Sequence, residues 1–219
     1  MQIDWKQFAA PWLQMEKPLE QAHQSVLDRL LDHADIQHGQ HVLDVGCGTG
    51  ASLLAASQAA GNTGRVSGVD IAPPLVERAC ERVGKNVEVI ACDAATATFD
   101  GTFDVGLSLF GTMFFQDTGA AFATMRKAFN SGARFHFAAW AAPQDNPWFT
   151  IPRAAAEAHF GALPKPDMST PGPFRFADAE ETKRIIDGAG WSVTYQTEAL
   201  HLETGQTLSD LAQMHLTLS

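Results

Sequence analysis

His41-Val42-Leu43-Asp44-Val45-Gly46-Cys47-Gly48-Thr49-Gly50 is the stretch from which the organisation of the chain is read. A short apolar run ends in an acid, three glycines alternate, and an alanine-rich segment follows. That is the pattern of a strand, a tight turn and a helix start. Glycine suits such a turn because a Cβ would obstruct it and keep the backbone away from a ligand at the helix N-terminus. The loop therefore predicts a nucleotide-type ligand, and the acid before the glycines bears on which one.

Working outward, Ala51 to Ala60 reads as a helix closed by Gly61, and Arg65 to Asp70 as a second strand, again ending in an acid. Pro73 and Pro74 suit the first turn of a helix whose apolar face is Leu75, Val76, Ala79, Cys80 and Val83. Asn86 to Asp93 is a third strand and Phe103 to Phe110 a fourth. A helix is expected from about Gly119 to Asn130, with Phe122, Met125 and Phe129 on one face and Ser131-Gly132 closing it. Ala133 to Trp140 is the fifth strand. Upstream, residues 1–17 mix Trp5, Phe8, Trp12 and Met15 with charges and read as an arm that packs over something, followed by a helix from Pro18 to about Ala34. Strands alternating with helices at this spacing predict a Rossmann-like, doubly wound α/β fold with a mostly parallel sheet, whose ligands sit outside the carboxyl ends of the strands.

From Ala141 to Ala177 the alternation breaks, and seven of the eleven prolines fall there around a short helix expected near Arg153 to Phe160. Lying between two core elements, this segment reads as a lid or pocket wall. Asp178 to Ala189 resumes as a helix, Trp191 to Glu203 is strand-like, and Thr207-x-x-Asp210 offers an N-cap for a final short helix. The chain thus reads as one domain: arm and helix over 1–34, ligand-binding core over 40–140, lid over 141–177, and a C-terminal helix, strand and short helix over 178–219.

The 219 residues are 45% hydrophobic, enough for one sizeable core. A net charge of −10 and a pI near 5.1 argue against a phosphate-tracking nucleic-acid binder and favour a small-molecule partner. Three cysteines without a CxxC pair fit a reducing cytoplasm rather than a disulfide framework. The N-terminal residues lack a basic-then-apolar leader pattern and no run of about 18 apolar residues occurs, so a soluble, unsecreted protein without a membrane span is expected. His23, His33, His38 and His41 cluster in sequence without metal-ligand spacing, and no metal is expected.

Gly46-x-Gly48-x-x-Ala51, with Asp70 about 20 residues on, also satisfies the dinucleotide fingerprint, so an NAD(P)-dependent oxidoreductase is a serious alternative. Asp44 shifts the balance. An anion two residues before the first glycine would repel a pyrophosphate, whereas S-adenosylmethionine carries an ammonium and a sulfonium that a carboxylate attracts. Asp70 can accept from ribose hydroxyls and Asp93 from an adenine amino group, with the Ala94 N–H beside it. Three acids at three successive strand ends suit a long, hydroxyl-rich cation.

On Val42-Leu43-Asp44-Val45-Gly46-Cys47-Gly48-Thr49-Gly50, Gly68-Val69-Asp70, Cys92-Asp93-Ala94 and Phe103-Asp104-Val105, the chain resembles the class I S-adenosylmethionine-dependent methyltransferases over roughly Pro18 to Trp140. Within them it is most similar to the bacterial small-molecule group that includes the ubiquinone and menaquinone biosynthesis methyltransferases. The resemblance implies S-adenosylmethionine as donor. It implies that Gly46 and Gly48, with Cys47 and Gly50 beside them, carry the methionine part, that Asp44 attracts its cation, and that Asp70 with Ile71 takes the ribose. Asp93 and Ala94 would take the adenine, and Leu109 and Phe110 would border the sulfonium. Such folds close with two further strands, the last antiparallel. After Glu203 only a helix-like stretch follows, so either the seventh strand is missing or the chain is truncated.

Phe114, Trp140, Asn146, Trp148 and Arg153 are the expected substrate-pocket residues, because they follow strands four and five. No catalytic residue is compelled, since a sulfonium is already an activated leaving group; His159 and His136 are the candidates for a base. The acceptor is expected to be a small molecule. A non-catalytic S-adenosylmethionine-binding protein is the remaining alternative.

Overall fold

A computed structural model describes residues 5–99 and 101–218; the first four residues of the expected arm lie outside them. The chain opens with two helices, α1 (Trp5–Gln14) and α2 (Glu16–Ala34). Helix α2 begins two residues before the expected Pro18, because first-turn N–H groups have no intrahelical acceptor and a proline there loses nothing. It ends at Asp35, whose left-handed backbone (φ 45°) lets its N–H bond the Leu31 carbonyl.

The core follows as β1 (His41–Val45), α3 (Ala51–Ala60), β2 (Arg65–Asp70), α4 (Pro73–Arg82), β3 (Val87–Ala91), β4 (Phe103–Leu109), α5 (Thr118–Arg126) and β5 (Phe129–Ala138). The five strands form one parallel sheet in the order β3-β2-β1-β4-β5. Strand direction of progress reverses between β1 and β4, so their carboxyl ends flank the crevice where sheets of this kind bind ligands. Alternation along β1 divides the core. Val42 packs with Leu53, Ala56 and Ala60 of α3 and Leu30 and Ala34 of α2. Leu43 and Val45 pack on the other face with Phe122 and Met125 of α5 and with Ile186 of α7 (Ala179–Gly188). Leu43, Leu53, Leu107 and Phe122 are fully buried, each worth roughly 1.5–3 kcal/mol on transfer grounds.

Further boundaries differ from the sequence reading. Helix α5 stops at Arg126, and Phe129 belongs to β5, opposite Phe103. The register slips between Phe103 and Val105, and Asp104 is held there by the His41 N–H (2.9 Å) and the Asn130 side-chain amide (2.7 Å). Asp104 therefore ties strand starts together at the end of the sheet away from the ligand crevice. Trp191 to Glu203 forms no strand. Its first residues cap the α5 side, where the Trp191 Nε1–H donates to the Phe122 carbonyl (3.1 Å). Beyond them the partners are side chains of α2: Arg29 pairs with Glu198 (2.7 Å) and the Ser25 hydroxyl donates to the His201 carbonyl (2.9 Å). With Tyr195 and Leu200 exposed, this segment has no second apolar face to bury against a sheet edge.

In the lid, helix α6 (Pro147–Phe160) starts six residues before the expected Arg153, with Pro147 at its first position. Gly172 donates its N–H to the Met113 carbonyl (3.1 Å), tying the lid to the turn after β4. The last helix, α8 (Leu208–Leu218), begins at the expected cap: the Thr207 hydroxyl donates to Asp210 (2.7 Å) and accepts from the Asp210 N–H (3.2 Å).

Candidate active site

At the crevice, the loop after β1 spends its amides on the protein. The N–H groups of Gly46 and Cys47 both donate to the Val69 carbonyl (2.8 and 3.1 Å), that of Gly50 to the Cys47 carbonyl (2.9 Å), and that of Gly48 to Asp70 Oδ2 (2.9 Å). A phosphate-binding loop needs such amides for its anion. Here four are occupied, one of them by a carboxylate. At Gly48, φ +54°, a Cβ would meet nothing within 4 Å, so the backbone there faces open space. Across the crevice the loop after β4 is joined to the same point by Ser108, whose hydroxyl donates to the Val45 carbonyl (2.7 Å) and accepts from the Thr112 N–H (3.2 Å).

The three strand-end acids differ in environment. Asp44 is fully buried, its Oδ2 held by the Ser52 hydroxyl of α3 and its Oδ1 without a partner. Burial pushes its carboxyl up to about 7; the Ser52 hydrogen bond opposes this and nearby Asp70 adds to it. The carboxylate is enclosed by the protein beneath the loop. Asp70 is half-buried, with Oδ1 accepting from the Ala72 N–H and Oδ2 from the Gly48 N–H, each at 2.9 Å. Burial raises its pKa, and the Ala72 and Gly48 amides oppose the rise. Ile71 beside it is 46% exposed, an apolar side chain facing outward at the mouth. Asp93 is exposed and accepts from the Ala95 N–H (2.9 Å), while Ala94 is buried.

The loop is also clamped from α2. Arg82 of α4 donates to both Glu20 carboxylate oxygens and to the Thr49 carbonyl (2.9 Å), and the Thr49 hydroxyl donates to Glu20 (3.2 Å). Arg78 pairs in the same way with Glu16 (2.8 Å).

On the opposite side of the crevice Leu109 and Phe110 end β4. Phe110 holds a left-handed backbone (φ 65°), uncommon for a residue with a side chain, and its N–H donates to the Ala138 carbonyl (3.2 Å). Its ring stacks on Trp140 at 4.7 Å and 7°. Trp148 joins the same aromatic group through His23, and Phe149 packs edge-on to Trp140 at 5.0 Å. Phe114 meets Trp5 of α1 at 4.7 Å, so the N-terminal arm packs on the turn after β4 as well as on Ala72 and Leu75 at the start of α4.

Other candidates are not brought to the crevice. The Asn146 amide donates to the Ala141 and Ala142 carbonyls (3.0 and 2.8 Å), and Arg153 to the Leu163 carbonyl (2.6 Å) while pairing with Glu157 (2.7 Å). Both hold the lid's own turns. His159 is exposed and packs on Phe160, itself 77% exposed. His136 lies within β5, opposite Leu107, its pKa lowered by burial and by Arg134 and His33. Leu107 is also the partner of Asp44, so His136 stands level with Asp44 across the sheet, two residues before the end of β5. The Cys47 thiol is buried, with burial driving its pKa well up, and a Cβ on Gly68 would stand 3.0 Å from its Sγ. It packs beneath the loop. Sequence reading missed Ser52, Ser108, Glu20, Arg82 and His23 as parts of this region. Ser52 alone carried a signal, being on the first turn of the helix that follows the glycines.

The fold and crevice define a Rossmann-like, doubly wound α/β protein whose topological crevice lies at the carboxyl ends of β1 and β4. A methyltransferase-domain family model matches residues 42–132. Aklanonic acid methyltransferase DauC of Streptomyces sp. (strain C5) is 32% identical over 180 residues, 75% of this chain and 80% of that protein. Nocamycin O-methyltransferase of Saccharothrix syringae is 41% identical over 103 residues, 45% of this chain and 37% of that protein. Among solved structures, a methyltransferase of Aquifex aeolicus described as SAM-dependent superposes with a TM-score of 0.56 at 21% identity, covering 78% of this chain and 82% of that one. A chain from the complex of the Haloferax volcanii Trm112 methyltransferase activator with a methyltransferase reaches 0.66 at 18% identity, over 87% and 78%. The chain belongs to the class I S-adenosylmethionine-dependent methyltransferases. It is a methyltransferase. Among the described residues no helix is long and apolar enough to cross a membrane.

Proposed function

We propose that this enzyme binds S-adenosylmethionine in the crevice between β1 and β4 and passes its methyl group in line to a small organic acceptor in the cytoplasm. The observation that carries the donor assignment is the loop's occupied amides: with Gly46, Cys47, Gly48 and Gly50 donating inward, the loop offers a cation-friendly surface backed by Asp44 and Asp70 rather than a nest for pyrophosphate. The residues fit the donor. Gly48 leaves room for its methionine part, Asp70 retains lone pairs for the ribose hydroxyls, Asp93 and Ala94 face the adenine, and Phe110 borders the sulfonium. The donor supplies a methyl group on an activated leaving group. The chain supplies alignment and a water-poor wall of Phe110, Trp140 and Trp148.

A small-molecule acceptor is supported by the relatives, named for aklanonic acid and nocamycin. The test is thermal unfolding with S-adenosylhomocysteine or NADH, followed by a mass search of extracts for a product heavier by one CH₂. Stabilisation by S-adenosylhomocysteine alone is expected. Stabilisation by NADH alone overturns the donor assignment.

A further inference from the structure

His23 lies on the buried stripe of α2, four residues after Leu19 and four before Leu27, yet it is neither apolar nor satisfied. Its Nε2 is buried without a hydrogen-bond partner. Its ring neighbours are aromatic: Phe110 at 5.0 Å, Trp140 at 6.0 Å and Trp148 at 6.1 Å between centroids. Leaving such a nitrogen unpaired costs free energy that packing alone does not return, and a phenylalanine would serve the stripe without that cost. The location is specific, because Phe110 is the first residue after β4, at the crevice, and carries the unusual backbone. His136 has a similarly orphaned nitrogen, but it sits within β5 beside the charges of Arg134 and His33.

Resting on the donor assignment above, we propose that His23 receives the hydroxyl of the methyl acceptor, and that Phe110, Trp140 and Trp148 form the wall against which a planar aromatic acceptor stacks. The acceptor's O–H donates to Nε2. As the oxygen forms its bond to the methyl carbon, the carbon–sulfur pair departs with sulfur and the hydroxyl proton passes to Nε2, to be released to solvent when the pocket opens. Burial holds the imidazole down to about 4, so it is neutral near pH 7 and free to accept. Such a weak base suffices because a hydroxyl oxygen gaining a methyl group becomes a far stronger acid than an imidazolium. The aromatic wall adds stacking without competing for the hydrogen bond.

The probes are 2-naphthol and naphthalene, titrated into the protein saturated with S-adenosylhomocysteine. The wild type is expected to bind 2-naphthol at least tenfold more tightly than naphthalene. His23→Ala should bring that ratio to about one while S-adenosylhomocysteine affinity, the check on folding, stays within twofold. His23→Gln, which still accepts a hydrogen bond, should restore part of the preference without restoring methyl transfer to 2-naphthol. A preference unchanged in His23→Ala overturns the proposal and leaves the donor reading intact, as does a wild type that binds neither probe. A wild type that does not bind S-adenosylhomocysteine overturns both.

Discussion

The Ser52 hydroxyl donates to Asp44 Oδ2 across 2.5 Å where no solvent reaches, and Asp44 Oδ1 beside it has no partner. One serine on α3 thus partly compensates a carboxylate at the end of β1, and the compensation is incomplete. The folded carboxyl titrates near 7 against a reference of 3.8, so the folded state holds a proton that the unfolded state has lost.

The sign of the resulting pH dependence is the reverse of the usual carboxylate case. Asp44 costs nothing below about pH 4, and its penalty grows as pH rises to about 7, with an upper bound of about 4 kcal/mol. Unfolding by denaturant at pH 5 and pH 8 should show Asp44→Asn relatively more stable at pH 8. Parallel profiles for the two proteins would refute the assignment.

A bound cation should draw that proton off. S-adenosylmethionine is therefore expected to bind the wild type more tightly at pH 7.5 than at pH 6, with proton release visible as a buffer-dependent calorimetric enthalpy. In Asp44→Asn both effects should vanish. Persistence of the release would place its source elsewhere.

Asp70 accepts an N–H on each oxygen, from Gly48 and from Ala72. In Asp70→Asn the NH₂ end must face one of those donors, so the loop shifts even though size is kept. A stability loss of about 1–3 kcal/mol and at least tenfold weaker donor binding are expected, read by thermal unfolding and calorimetry.

Gly111 sets the width of the crevice floor. A Cβ on it would stand 2.7 Å from the Val45 carbonyl oxygen and 2.9 Å from the Gly46 Cα, both backbone atoms that cannot swing aside. Gly111→Ala should lower the melting temperature and abolish donor binding, whereas Gly132→Ala, which meets no neighbour within 4 Å, tests only the cost of a left-handed backbone (φ +79°). Equal effects on donor binding from the two would dismiss the steric account.

The Arg82 clamp predicts a separable effect. Arg82→Ala leaves the Glu20 carboxylate and the Thr49 carbonyl without their shared donor at a site where the arginine side chain is only 17% exposed. Donor affinity should fall about tenfold, an effect on loop order, while a naphthol-to-naphthalene preference carried by His23 should persist. Loss of that preference as well would show that the clamp also shapes the acceptor side.

Local chemistry wrote the donor half of this protein into its sequence. An apolar run, an acid, alternating glycines and an alanine-rich helix lie within about twenty residues, and a strand, a turn and a helix start are each decided by neighbours in the chain. The succession of strands and helices along the core followed from the same short-range alternation, as did the three acids near strand ends and the Thr207–Asp210 cap, whereas the order of strands in the sheet came from the tertiary structure. Longer-range facts had no such signal. Whether Asp44 faces a ligand or lies beneath one depends on Ser52, and whether Trp191 to Glu203 joins a sheet depends on α2 offering Arg29 and Ser25 as partners instead. His23 is the clearest case: in sequence it is one of four scattered histidines, and only the packing of α2 across the ends of β4 and β5 surrounds its unpaired nitrogen with Phe110, Trp140 and Trp148. Burial and partners 87 to 125 residues away are properties of the packed chain, and they determine what that side chain can do.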